Sequence, residues 1–245
     1  MLIAALLAAL FLLPPLGLQL LIALILLAAA HEWARLCGFG GRAALVFAAA
    51  VAVAFIALAR AGLSTPVFVA AALFWIVVAP LWMWRGVRTD HTPWLAAAGF
   101  AVLVPAGLGM IALRPLEVLL VLVLVWIADT AAYFVGRAWG KRKLAPTISP
   151  GKSWEGAIGG VVGAAAYAII CATFIQGIAW PAFLAAAVLL AMVSIVGDLF
   201  ESAAKRQAGV KDSGTLLPGH GGILDRIDSA TAVLPVAAML WPILK

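Results

Sequence analysis

Nine apolar runs, separated by short polar stretches, make up most of this chain. They cover roughly residues 2–15, 17–34, 43–60, 66–84, 94–113, 116–136, 155–176, 180–201 and 227–244. Most approach the ~20 residues that a helix needs to cross the hydrocarbon core of a bilayer. The pattern predicts an all-α, polytopic integral membrane protein of about nine transmembrane helices, folded as one membrane-embedded domain over 1–245. Residues 1–114 would supply the N-terminal helices. Residues 115–245 would supply the helices that carry chemistry, with polar loops at 137–154 and 202–226. The first two runs are short and are parted only by Pro14, Pro15 and Gly17, which predicts two short helices or one kinked re-entrant pair. The opening "MLIAALLAALFLL" reads as a retained span. A signal peptide wants a basic leader and a small-residue cleavage site, and the first basic residue here is Arg35.

Composition agrees with a membrane class. The chain is 66% hydrophobic and 11% charged, with a mean hydropathy of +1.17, whereas a soluble domain is nearer to about half apolar. The net charge of +6 would suggest nucleic acid in a soluble protein, but position explains most of it. With the N-terminus inside, the cytoplasmic side receives Arg35, Arg42, Arg85, Arg88, Arg137, Lys141, Arg142, Lys143, Lys152, Lys205, Arg206, Lys211 and Arg226. Only Arg60, Arg114 and Lys245 fall outside. That positive-inside bias puts both long loops in the cytoplasm and predicts a multi-pass protein of the cell's inner membrane. No nucleic-acid partner is expected. Trp33, Trp82, Trp84, Trp94, Trp139, Trp154, Trp180 and Trp241 fall near span ends, as interfacial anchors do. Cys37 and Cys171 have no metal-ligand spacing and read as small buried hydrophobes. In "GAIGGVVG", Gly156, Gly159, Gly160 and Gly163 form a small-residue face suited to close helix packing in lipid.

Of ten acidic residues, half fall in the last fifth of the chain. Asp129 and Asp198 interrupt or end apolar runs, where a carboxylate costs on the order of 2.5–3.5 kcal/mol and is functional by default. Asp198, Glu201, Ser202 and Lys205 share one helical face, and the next run opens on Asp225, Asp228 and Ser229. The loop between them carries Arg206, Lys211, Asp212 and the stretch "PGHGG", with His220, Gly221 and Gly222, whose amides could serve as donors. Carboxylates point to a hard cation, and the neighbouring lysines and arginines point to phosphates. A structural reading also exists: Asp225, Arg226 and Asp228 suit a helix N-terminus. The other loop adds Ser149, Lys152 and Ser153. Its "GKS" is no phosphate-binding P-loop, because Pro146 stands where glycine is needed and no strand precedes it. Ser153 instead marks a helix start. Asp129, Tyr133 and Arg137 stack along one face and predict the wall of a cavity or an interhelical network. Glu32, beside Trp33, reads as an interfacial end-cap.

From Ser202 to Asp228 the chain resembles the signature of phosphatidate cytidylyltransferases (CDP-diacylglycerol synthases). Ser202, Lys205-Arg206, Lys211-Asp212, Pro218, His220-Gly221-Gly222, Asp225-Arg226 and Asp228 carry the likeness. "SPGKSWEG", "GDLFES" and "AHEWARL" extend it along most of the chain, and the lack of basic residues before the first helix departs from it. The resemblance implies CTP and phosphatidic acid as substrates, CDP-diacylglycerol and pyrophosphate as products, and Mg²⁺ as cofactor, with or without a second cation. It implies Asp198 and Asp225 as metal ligands and Lys205, Arg206, Lys211 and Arg226 on phosphates. Asp228 and Asp212 would order cations or water, and His220 would bond phosphate or loop, or act as a base. Membrane lipids are further partners, and nothing in the residues decides between a monomer and a homodimer. Other readings are an ion- or proton-coupled carrier using Asp129 and Asp198, cytidylyl transfer to another lipid phosphate, and a polyprenol-type lipid kinase.

Overall fold

The computed structural model describes residues 2–86, 92–175, 177–216, 219 and 221–244. Arg88, Asp90, His91, Pro218, His220 and Lys245 lie outside them. The described residues form nine helices: α1 (Leu2–Leu12), α2 (Pro15–Leu36), α3 (Gly41–Ala61), α4 (Ser64–Arg85), α5 (Thr92–Ala112), α6 (Pro115–Trp139), α7 (Trp154–Phe174), α8 (Trp180–Gln207) and α9 (Leu224–Leu244). Eight are long and apolar enough to cross a membrane. The first, of 11 residues, is not; at about 1.5 Å per residue it reaches only halfway. Of the two short helices or kinked re-entrant pair expected there, only the first helix is short; the second is long enough to span. Assignment of sides therefore rests on the loops from α2 onward.

Three findings correct the hydropathy pattern. First, the loops at 137–154 and 202–226 are shorter than expected, because α6 runs on to Trp139, α8 to Gln207, and α9 begins at Leu224. Polar side chains at those ends leave the lipid without breaking the helical ladder. Arg137, Lys205, Arg206, Asp225 and Arg226 consequently ride on helices. Second, a two-stranded antiparallel ribbon, β1 (Lys143–Ala145) and β2 (Ser149–Ser153), fills the α6–α7 connection. Ser153 then caps α7 as expected, its Oγ accepting the Gly156 amide at 3.1 Å. Third, Trp33 is no interfacial anchor. It is 1% exposed, donates to the Leu95 carbonyl at 2.9 Å and stacks on Phe200. Trp84, Trp94, Trp139, Trp154 and Trp180 do stand exposed.

Phe200 centres an aromatic cluster at the end of α8, touching Phe74, Trp75 and Trp82 of α4 edge-on. Helix α4 reaches it through one π-turn at Phe74–Val78. Pro80 follows that turn; lacking an N–H and crowding the carbonyl four residues back, it favours the wider turn.

Helices α5, α8 and α9 are the most enclosed spans, while α7 is the least. Large apolar side chains such as Leu24, Val46, Val53 and Ile170 point outward, where lipid accounts for the excess hydropathy. Helix α7 is held to α6 by its glycine face. A Cβ on Gly156, Gly159, Gly160 or Gly163 would meet Ala132, Val135, Ala128 or Ala131 at 2.6–2.9 Å. Cys37 and Cys171 are buried and unpaired, and burial pushes the Cys37 thiol up to about 12. Gly160→Val, which would press on the Ala128 carbonyl, is expected to cost about 1–3 kcal/mol and to lower the thermal midpoint in detergent. The outward-facing Ile170→Val should leave that midpoint within experimental error.

Candidate active site

The α2–α3 turn, the β-ribbon and the α8–α9 loop meet at one end of the bundle. Arg206, on α8, donates through Nε to the Ile148 carbonyl at the ribbon tip (3.3 Å) and through Nη1 to Val210 (3.2 Å). Its guanidinium thus ties two connections together, where the resemblance implied a phosphate contact.

Under the ribbon lies a cleft of about 540 Å³. Asp129, Asp198, Asp225 and Asp228 line it from α6, α8 and α9, with Arg137 and Lys152 as the cations and Ser149 on its rim. The structure therefore brings Asp198 and Asp225 to one cavity, and Asp129, Tyr133 and Arg137 form one of its walls. Arg137 donates to the Tyr133 hydroxyl at 2.9 Å. Lys152, from β2, meets Asp198 at 2.5 Å, and the Ser202 hydroxyl donates to the other oxygen of Asp198 at 3.3 Å. Asp198 and Lys152 both act electrostatically on Asp129 and on Asp228.

Asp225 is answered on both oxygens. Its Oδ1 accepts from Lys205 Nζ at 2.7 Å. Its Oδ2 accepts from the amides of Ser213 (3.0 Å) and Gly222 (2.8 Å) and lies 3.0 Å from Ser213 Oγ. Lys205 also reaches Glu201 at 3.1 Å, and all three groups are nearly enclosed. The Gly222 amide, read as a donor for ligand, is thus occupied by Asp225. Gly221, at φ +78°, makes that turn possible.

A second cavity, of about 230 Å³, opens on the other side of Asp129 and Asp228. It is mainly apolar, walled by Leu6, Ile22, Ile25 and Trp126, with Arg226 at the same end as the two aspartates. A third, polar cleft holds Lys211 and Asp212 together with Arg35. These two residues of the signature line this cleft and not the four-aspartate one, although Ser213, next to Asp212, bonds Asp225.

Two carboxylates differ from their reading in the sequence: Glu32, expected as an interfacial end-cap, is buried at 5% exposure, and Glu201, expected only as part of a polar helical face, is buried at 3%. Glu32 reaches from α2 into the α8–α9 loop, accepting from the amides of Ile223 (3.1 Å) and Leu224 (2.9 Å), with Ser213 Oγ 3.0 Å away. Its place in the resembling stretch "AHEWARL" was the signal available; its distant partners were not visible from spacing.

The cleft's chemistry suits a divalent cation. Four carboxylates outnumber two cations on its lining, so a polyanion entering alone would be repelled. Among the described residues no three ligating side chains converge ready-made, since lysines hold Asp198 and Asp225.

The family model for the cytidylyltransferase family matches residues 1–244. A phosphatidate cytidylyltransferase of Pseudomonas aeruginosa is 44% identical over 234 residues, 86% of this chain and 83% of that one. Those of Haemophilus influenzae and Thermotoga maritima are 48% and 44% identical over 153 and 133 residues, covering 56% and 52% of this chain and 53% and 49% of theirs.

Lys205 and Lys152 differ in what they leave behind. Lys205→Ala would strand Glu201 and Asp225 without their cation and is expected to cost about 3–5 kcal/mol. Lys152→Ala, whose pair stands 27% and 28% exposed, should cost no more than about 1 kcal/mol. Thermal midpoints of the two variants in one detergent test the contrast.

Proposed function

The chain belongs to the cytidylyltransferase family, and from that premise we propose that it makes CDP-diacylglycerol and pyrophosphate from CTP and phosphatidic acid. One observation carries this reading: a charged, loop-side cleft and an apolar pocket share Asp129 and Asp228 as a common wall. A reaction between a water-borne polyanion and a lipid phosphate needs such a junction. The nucleotide fits the charged side and an acyl chain fits the apolar side, so the two phosphates meet between them.

In this reaction a phosphate oxygen of phosphatidate attacks the α-phosphorus of CTP. A new P–O–P bond forms, the α–β anhydride breaks, and pyrophosphate leaves with the bonding electrons. A phosphomonoester is already largely dianionic at neutral pH, its second pKa being about 6. No strong base is required; what limits the reaction is repulsion between two anions. Lys152 and Arg137, on the cleft wall, neutralise phosphate charge. Lys205 holds Asp225 in register beneath them. Asp198 and Asp225 would hold Mg²⁺, which supplies further charge neutralisation at the transferring phosphate. The positive-inside pattern of the loops supports a site open to the cytoplasm, in the cell's inner membrane.

Purified protein in mixed micelles should release pyrophosphate from CTP only when phosphatidate is added. Chelation of divalent cations should stop release, and added Mg²⁺ should restore it. Asp198→Asn is expected to lower turnover about 100-fold or more while the variant extracts and elutes as the wild type does. Phosphatidate-independent release, or full turnover in Asp198→Asn, would contradict the reading.

A further inference from the structure

Resting on that functional reading, we propose that Glu32 is a positioning residue for the transfer: its carboxylate, clamped in the α8–α9 loop, sets the place of Asp225 and so of Lys205. Three observations converge on it.

The first is reach. Glu32 belongs to α2, yet both its oxygens are engaged by residues about 180–190 positions later, at Ser213, Ile223 and Leu224. The amides of Gly222, Ile223 and Leu224 are donors that the start of α9 cannot satisfy within its own helix. Asp225 takes the first and Glu32 takes the next two. A negative charge there also complements the positive end of the helix.

The second is the cage. A Cβ on Gly214 would lie 2.4 Å from Glu32 Oε1, and one on Gly222 would lie 2.5 Å from Oε2. Two glycines on the loop thus leave a recess that the carboxylate fills. A solvent-facing end-cap needs no such recess.

The third is the link to the cleft. Ser213 Oγ stands 3.0 Å from Glu32 Oε2 and 3.0 Å from Asp225 Oδ2. A hydroxyl has one proton, so it bonds one carboxylate at a time and ties their positions together. Asp225 in turn faces Lys205 at 2.7 Å and lines the cleft. Displacing Glu32 therefore moves groups at the cleft without touching substrate. A clamp of this kind acts on turnover, because positioning counts most where charge is being transferred.

The test compares Glu32→Gln and Ser213→Ala with the wild type in purified form. It measures turnover, both KM values and hydrogen exchange at the Ile223 and Leu224 amides. Glu32→Gln keeps the shape and loses the charge. It should fold, exchange faster at both amides, and lose about 10- to 100-fold in kcat with KM for CTP and for phosphatidate within about twofold. Ser213→Ala should lower kcat in the same sense, and the double variant should lose less than the product of the two single losses. Unchanged kcat in Glu32→Gln, with or without a lower thermal midpoint, would overturn the proposal. If Glu32→Gln does not fold, Ser213→Ala decides: full turnover there overturns it. A wild-type chain that forms no CDP-diacylglycerol would refute the functional reading instead, and amide exchange, which needs no substrate, is scored apart from it.

Discussion

A carboxylate carried into a membrane bundle must be met by a donor or it is not tolerated, and the working end of this protein is arranged around that requirement. Asp198 is met by Lys152, Asp225 by Lys205 and two loop amides, and Glu32 by the start of α9. The Lys152–Asp198 and Glu32 pairings join elements distant in sequence, and those of Asp225 close the α8–α9 connection on itself, so the need to satisfy charge is also what assembles the loops. Burial alone would hold the helices together; it would not place the ribbon over α8 or seat the α8–α9 loop on α2.

The same pairings describe the cleft before substrate arrives. Lys152 on its wall and Lys205 beneath it are engaged by Asp198 and Asp225, so the walls are defined without a ligand. Binding a phosphate would exchange an internal partner for an external one, which limits the cost of desolvating either ion. Close packing of α7 on α6 through glycines sets the ribbon's distance from Asp198 and makes one exchange site of two distant segments.

Much of this was legible in the residues. Nine apolar runs gave nine helices among the described residues, the glycine face of α7 packs as its spacing implies, and Ser153 begins α7. The aspartates of α6, α8 and α9 do share a cavity. What was not legible depended on contacts across the chain. Hydropathy ends a helix where polar residues begin, yet polar residues at the membrane boundary continue α6 for about one turn and α8 for nearly two. A glutamate beside a tryptophan has the local pattern of an interfacial cap, and only the fold shows Trp33 inside the aromatic cluster and Glu32 against residues about 190 positions away. The β-ribbon was hidden because its strands are short and hold few of the β-branched residues that usually give strands away.

The wide turn in α4 carries a different kind of information. A π-turn holds one surplus residue relative to a regular helix, and each residue turns the chain by about 100°. Segment length in α4 is therefore an azimuth: with one residue fewer between Phe74 and Val78, the stretch from Ser64 would be rotated against the part that carries Trp82. The Phe200 ring, which Phe74 and Trp75 now meet together with Trp82, could then no longer be met by all three. Chain length, and not only side-chain identity, aims α4 at the core.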